Sequence, residues 1–218
     1  MGSRDAQQKC RLEPINLSDE KTFQQLYEQR KGCVWDNQLW NIELWRDLYV
    51  KRVKTMFWII PTEFPQLQAK GLSANVPVGH ISLEAEASPP DLDLANPDKS
   101  TLMISTFYII ETYQGLGLGS AAVKALERVA TAPPHGSANC HTIALATLTR
   151  KYNEDDGEEW RGLYAKRGME PGKKGASNED WYARMGYVAW KEQYKWDAEL
   201  LDGTTVKLLA VYMRKRVR

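Results

Sequence analysis

Gln114, Gly117 and Gly119, with Gly115 beside them, stand directly before a helix-forming run, SAAVKALERVA, from Ser120 to Ala130. The first turn of a helix carries N–H groups with no internal partner and a partial positive charge. Glycines lack Cβ atoms and let an anion approach that backbone. Gly115, Leu116, Gly117, Leu118, Gly119 and Ser120 therefore read as a turn for a diphosphate. A second group of reactive type is Glu84 and Glu86, which flank Ala85 at the end of an apolar run. On a strand they would share a face, and one carboxylate could accept a proton from an amine, directly or through water. The alternative is a solvated strand end. His80, in the same run, reads as a packed strand residue, with proton transfer as the minor alternative.

Three phosphate-binding patterns compete for the glycines. A P-loop needs a lysine after its last glycine, and here Ser120, Ala121 and Ala122 follow. A dinucleotide fingerprint on Gly117, Gly119 and Ala122 wants an acid ending the next strand, which instead ends in Thr147, Leu148, Thr149 and Arg150. The third pattern is Gln-x-x-Gly-x-Gly after an apolar strand. A glycine turn that binds nothing is the structural alternative to all three.

The elements that must position these residues follow from periodicity. Leu102 to Ile110 is apolar, β-branched and aromatic, as a buried strand is. The helix after the glycines has one apolar face, Ala122, Val123, Leu126 and Val129. Upstream, residues 1–12 read as a loose leader or an edge strand. Ser18 could cap a helix through Phe23, Leu26 and Tyr27. A second helix is expected over Asn37 to Lys54. Trp35, Trp40 and Trp45 cover the sheet on this reading, or one or two of them wall an acceptor pocket. Met56–Ile60 and Pro77–Ala85 read as a strand hairpin. Downstream, His141–Leu148 is a strand expected to lie parallel to the one at 102–110. Residues 151–175 form a charged, glycine-rich excursion with one short helix, read as an insertion or a lid. A short helix ending at Gly186 precedes a hairpin of Tyr187–Trp196 and Val206–Arg214, turned at Asp202-Gly203.

Composition bounds the rest. With 218 residues, 43% hydrophobic and 26% charged, the chain is expected to be a single soluble globular domain, 1–218. A net charge of +1 gives no electrostatic case for nucleic acid or a membrane. No apolar run suits a transmembrane helix, and the polar start lacks a signal-peptide core, so a cytoplasmic location is the default expectation. Cys10, Cys33 and Cys140 form no CxxC pair, and His135 and His141 make a poor chelate with Cys140, so no metal is expected.

Gln114-x-x-Gly117-x-Gly119 resembles the acyl-CoA motif of the GNAT superfamily, the N-acyltransferases that use acetyl-CoA or related thioesters. NEDWYARMGY, residues 178–187, is similar to that family's Tyr-x-x-x-Gly-Phe signature, with Tyr187 in place of Phe. The two motifs stand in the family's order, and the resemblance covers about residues 55–215. It implies an α/β (α+β) fold: a mixed, mostly antiparallel, twisted sheet of about six or seven strands flanked by helices. It also implies a splayed parallel strand pair at the cofactor site. It further implies acetyl-CoA as co-substrate, bound by Ile109, Ile110, Gln114 and residues 115–120, with pantetheine pairing around Phe107–Ile110. The family's pantetheine-contacting asparagine falls on Asn178 or on Asn153. Tyr182 would protonate the departing thiolate, and Glu84, Glu86 or Glu111 would take the amine's proton. The expected activity is N-acetyl transfer to a primary amine of a small molecule or peptide, by a monomer or homodimer. A non-catalytic CoA-binding module and a nicotinamide-dependent oxidoreductase are the rival functions.

Overall fold

The computed structural model describes residues 8–218, and the chain packs as two compact units, Met1–Ile143 with Val217–Arg218 and Ala144–Arg216. The first unit runs β1 (Cys10–Pro14), α1 (Glu20–Arg30), α2 (Leu39–Val50), β2 (Lys54–Pro61), α3 (Pro65–Ala69), β3 (Gly79–Glu84) and β4 (Thr101–Ile109). A 3₁₀ turn (Glu111–Tyr113) and α4 (Leu118–Ala130) follow, and β5 (Thr142–Leu148) starts in this unit and continues into the next. Strands β1 to β4 pair antiparallel in chain order. At the foot of β4, the N–H groups of His141 and Thr142 both donate to Ser100 O, at 3.1 and 3.3 Å. Strand β5 thus starts beside β4 and parallel to it, which makes the sheet mixed.

Met56, Trp58 and Ile60 alternate along β2 and pack with Phe23, Leu26, Ile42 and Trp45 of the two N-terminal helices. Phe57 and Ile59, on the other face of β2, are buried too, so this strand is covered on both sides. Each such side chain contributes roughly 1.5–3 kcal/mol on burial. Helix α4 lies against β1, β2 and β3.

Several boundaries differ from the sequence reading. Asp19, not Ser18, caps α1: its carboxylate accepts the Thr22 N–H at 2.7 Å. Helix α2 stops at Val50, the chain turns through Arg52 at φ 58°, and Lys54 opens β2 instead of closing a helix. Strand β3 ends at Glu84, so Glu84 is buried while Glu86 is exposed, and the two do not share a face. The leader resolves into edge strand β1 from Cys10, and its first seven residues lie outside the described part.

In the second unit, β5 is followed by α5 (Lys151–Glu154), α6 (Arg161–Lys166), α7 (Asn178–Arg184), β6 (Val188–Glu199) and β7 (Thr205–Arg216). Residues 151–175 thus hold two short helices, not one. The strand order here is β5-β7-β6, with β6 and β7 an antiparallel hairpin turned at Gly203, φ 81°. Along the hairpin, cations stack on aromatics: Lys191 and Lys195 over Tyr212, and Arg214 over Trp190. Gly186, at φ 88°, ends α7 as expected for a C′ glycine.

Candidate active site

The glycine turn has the construction its sequence implies. Leu116 and Leu118 point into the core and are buried, while Gly115 and Gly117, each just before one of them, are exposed. Gly117 is the N-cap of α4 and adopts φ 82°, a left-handed conformation that glycine takes without a Cβ clash. The first backbone N–H after the turn that finds an acceptor is that of Ala121, which donates to Gly117 O at 3.1 Å. Among the described residues, no protein acceptor takes the N–H groups of Gly115 to Ser120. The turn is therefore an open cluster of donors at a helix N-terminus, which fits an anionic diphosphate. Gln114 donates its side-chain N–H to Ile109 O at 2.8 Å, so it ties the turn to the end of β4. The Ile110 N–H is also committed, to Val78 O at 2.9 Å, which leaves it unavailable to pair with pantetheine.

Strand β4 carries a bulge just before this turn. Tyr108 faces His80 and Ser105 faces Ser82, so Ile81 alone opposes both Thr106 and Phe107. Thr106 sits at φ 50°, a left-handed conformation rare for a β-branched residue. Its hydroxyl accepts from Lys54 Nζ at 2.6 Å. The same ammonium pairs with Glu84 Oε1 and donates to Ser82 Oγ at 3.1 Å. Ser82 Oγ donates in turn to Glu84 Oε1 at 3.0 Å. Lys54 and Glu84 are 2% and 4% exposed, so this is an internal ion pair that clamps the bulge. Burial pulls the Lys54 ionisation down and the Glu84 carboxylate pulls it back up. Both polar contacts of the Glu84 carboxylate fall on Oε1. Glu111 is exposed, in the 3₁₀ turn between β4 and the glycines.

His80 is a packed residue with a defined tautomer. Gln29 donates its amide N–H to Pro77 O at 3.1 Å, which turns its oxygen toward His80 Nδ1 at 2.7 Å. The Arg30 guanidinium lies 3.3 Å from Nε2 and can only donate. His80 is thus neutral, with its proton on Nδ1 and its lone pair already taken, and cannot serve as a base. Burial, then Arg30 and Lys54, hold its pKa well below 6.5. The unfolded chain binds this proton below that value and the folded chain does not. Stability is accordingly full above pH 6.5 and falls on acidification, by up to about 1.4 kcal/mol per pH unit. Urea midpoints measured from about pH 7 to 5 should show this slope, and His80→Asn should flatten it. An unaltered slope in the variant would refute the assignment.

In the second unit, Tyr182 lies on α7, 7% exposed, edge-on to Trp181 at 4.8 Å and Tyr187 at 5.5 Å. Burial raises its ionisation strongly, so the phenol keeps its proton at neutral pH. No acceptor among the described residues takes its hydroxyl. Ser177 caps α7 by accepting the Asp180 N–H at 3.0 Å. Glu179 and Asp180 then hold Arg150 at 2.8 and 2.9 Å, which moors this helix to the end of β5. Asn178 is exposed at the start of α7, whereas Asn153 is buried just after β5 and accepts the Tyr164 hydroxyl at 3.2 Å.

The structure puts Glu84 in a buried pair with Lys54 and the glycine turn at the start of α4, and sequence reasoning missed Lys54 and the bulge it holds. An unusual lysine at the head of a strand, two residues before an apolar run, was the available signal. Among the described residues, no three His, Cys, Asp or Glu side chains gather to hold a metal.

A family model described as the acetyltransferase (GNAT) family matches residues 23–169. No curated protein matches the sequence. Among solved structures, the acetyltransferase that modifies the N-terminal serine of a 50S ribosomal subunit protein from Salmonella typhimurium is similar at 14% identity and TM-score 0.55, covering 96% of each chain. An aminoglycoside 6′-N-acetyltransferase complexed with coenzyme A is similar at 12% identity and TM-score 0.54, covering 95% of this chain and 97% of that one. Arabidopsis thaliana NAA60 in complex with acetyl-CoA follows at 11% identity and TM-score 0.53, covering 95% and 98%.

Proposed function

Because the chain belongs to the GNAT acetyltransferase family, we propose that it transfers an acetyl group from acetyl-CoA to a primary amine of a small molecule or peptide, by direct attack. The observation that carries this reading is the cluster of N–H groups from Gly115 to Ser120 without a protein acceptor. Structures of similar fold that hold CoA or acetyl-CoA support it.

The thioester supplies an activated acyl carbon and a thiol leaving group. The glycine turn binds the diphosphate and fixes the donor's position. Glu84, its Oε1 held by Lys54 and Ser82, takes the amine's proton on Oε2, directly or through water. It is better placed than Glu111, because Lys54 links it to the β4 bulge, whereas Glu111 stands on the exposed turn nearest the diphosphate's negative charge. Tyr182 keeps its phenol protonated and gives that proton to the departing thiolate. Asn178 or Asn153 would contact the pantetheine arm.

Calorimetric titration with acetyl-CoA and with NADH, followed by thiol release over a panel of amines, tests the reading. Acetyl-CoA should bind and raise Tm, by about 2.7 kcal/mol of added stability at 100 times Kd, and NADH should do neither. Tyr182→Phe should lower kcat about tenfold with KM for acetyl-CoA unmoved, because a thiolate leaves without much help. Binding with no thiol release from any amine would replace the enzyme by a non-catalytic CoA-binding module. Binding of NADH instead of CoA would replace both.

A further inference from the structure

Lys9 lies one residue before β1, yet its ammonium reaches the start of α4. Nζ donates to Leu116 O at 2.9 Å, across 107 residues of sequence. The same nitrogen lies 3.2 Å from where a Cβ on Gly117 would stand. The Phe64 ring supports the ammonium at 5.1 Å from its centroid. The Lys9 carbonyl accepts the Thr62 N–H at 2.9 Å, so backbone and side chain are both held. Leu116 uses one of the three ammonium N–H groups. Among the described residues no other acceptor takes the remaining two, and the ammonium stands at the Leu116–Gly117 link of the turn.

Charge decides what an anion gains there. A helix N-terminus offers about half an elementary charge, much less than a diphosphate carries. Nucleotide loops of the P-loop type supply the rest with a lysine directly after the last glycine. Here that position is Ser120, and the N-terminal strand delivers a lysine to the same turn from the far end of the chain. Its bond to a carbonyl of the turn keeps it in place when no anion is present.

We infer that Lys9 is a cofactor-binding residue whose ammonium pairs with the diphosphate of CoA on this turn. The inference rests on the CoA reading above and adds the full positive charge that the glycine motif lacks. It also gives the segment before β1 a function, since the edge strand carries part of the cofactor site.

The test is calorimetric titration of the full chain with CoA, 3′-dephospho-CoA and pantetheine, for wild type, Lys9→Met and Lys9→Arg. A charge-assisted contact predicts that Lys9→Met weakens CoA and 3′-dephospho-CoA about tenfold, leaves pantetheine unchanged, and is largely rescued by Lys9→Arg. Equal weakening of all three ligands would make Lys9 a brace for the turn and overturn the assignment, as would unchanged affinity for CoA. Weakening of CoA alone would move the contact to the 3′-phosphate and overturn it too. If the wild type itself does not bind CoA, the functional reading fails, which is a different result from a variant that binds as well as wild type. Should Lys9→Met not fold, amine labelling of the wild type decides. CoA and inorganic pyrophosphate should protect Lys9 from labelling and pantetheine should not, and equal labelling with and without CoA would overturn the inference.

Discussion

A Lys54→Met variant is expected to lose about 3–5 kcal/mol of unfolding free energy, the cost of leaving a buried charge without its partner. Lys54 uses its three donors on Ser82, Glu84 and Thr106, and the Trp45 ring covers it at 5.0 Å. Methionine fills the stem's volume but strands a carboxylate that is 4% exposed. For a chain of this size the loss corresponds to a fall of roughly 6–20 °C in Tm. Lys54→Met/Glu84→Leu should recover most of it, since replacing both members of a buried pair by apolar groups is often neutral or stabilising. Urea unfolding of both single variants and the double gives the coupling directly. A single-variant cost under about 1 kcal/mol, the value of an exposed pair, would show that the pair is not internal. The double variant leaves the glycine turn intact, so it should still bind CoA, while turnover should fall because the proposed base Glu84 is gone.

The parts of this site that were legible in sequence are those written locally. Gln114, Gly117 and Gly119 sit within one turn of chain, and the helix after them shows its apolar face by spacing alone. Gly186 and the Asp202-Gly203 turn needed only left-handed backbone in short connections, which glycine advertises. What was hidden depends on partners far apart. Lys54 reads as a polar helix end until Glu84 and Thr106 are placed beside it, 30 and 52 residues away. The bulge at Thr106 has no glycine to mark it, because the side-chain bond to Lys54 offsets a conformation threonine otherwise avoids. His80 and its neutral tautomer depend on Gln29 and Arg30, which periodicity places only on a helix. Lys9 is the extreme case, since nothing in residues 8–14 refers to a turn that follows Gln114.

Gly117→Ala is expected to weaken CoA binding about 10- to 100-fold, while Gly115→Ala weakens it only a few-fold. Both glycines hold positive φ, 82° and 75°, so alanine carries backbone strain at either one. Their surroundings differ. A Cβ on Gly115 meets nothing within 4 Å, whereas one on Gly117 stands 3.2 Å from the Lys9 ammonium. Gly117 is also the N-cap of α4, so relieving strain there turns the first helical amides away from their common focus. At Gly115 the same relief moves only an exposed turn. Calorimetry of the two variants against CoA and pantetheine makes the comparison, with Tm as the check on folding. The added loss at Gly117 should appear for CoA and not for pantetheine, because the displaced groups serve the diphosphate. If the two alanines cost the same, the donors of the first α4 turn do not grip the ligand, and the anion site must lie elsewhere.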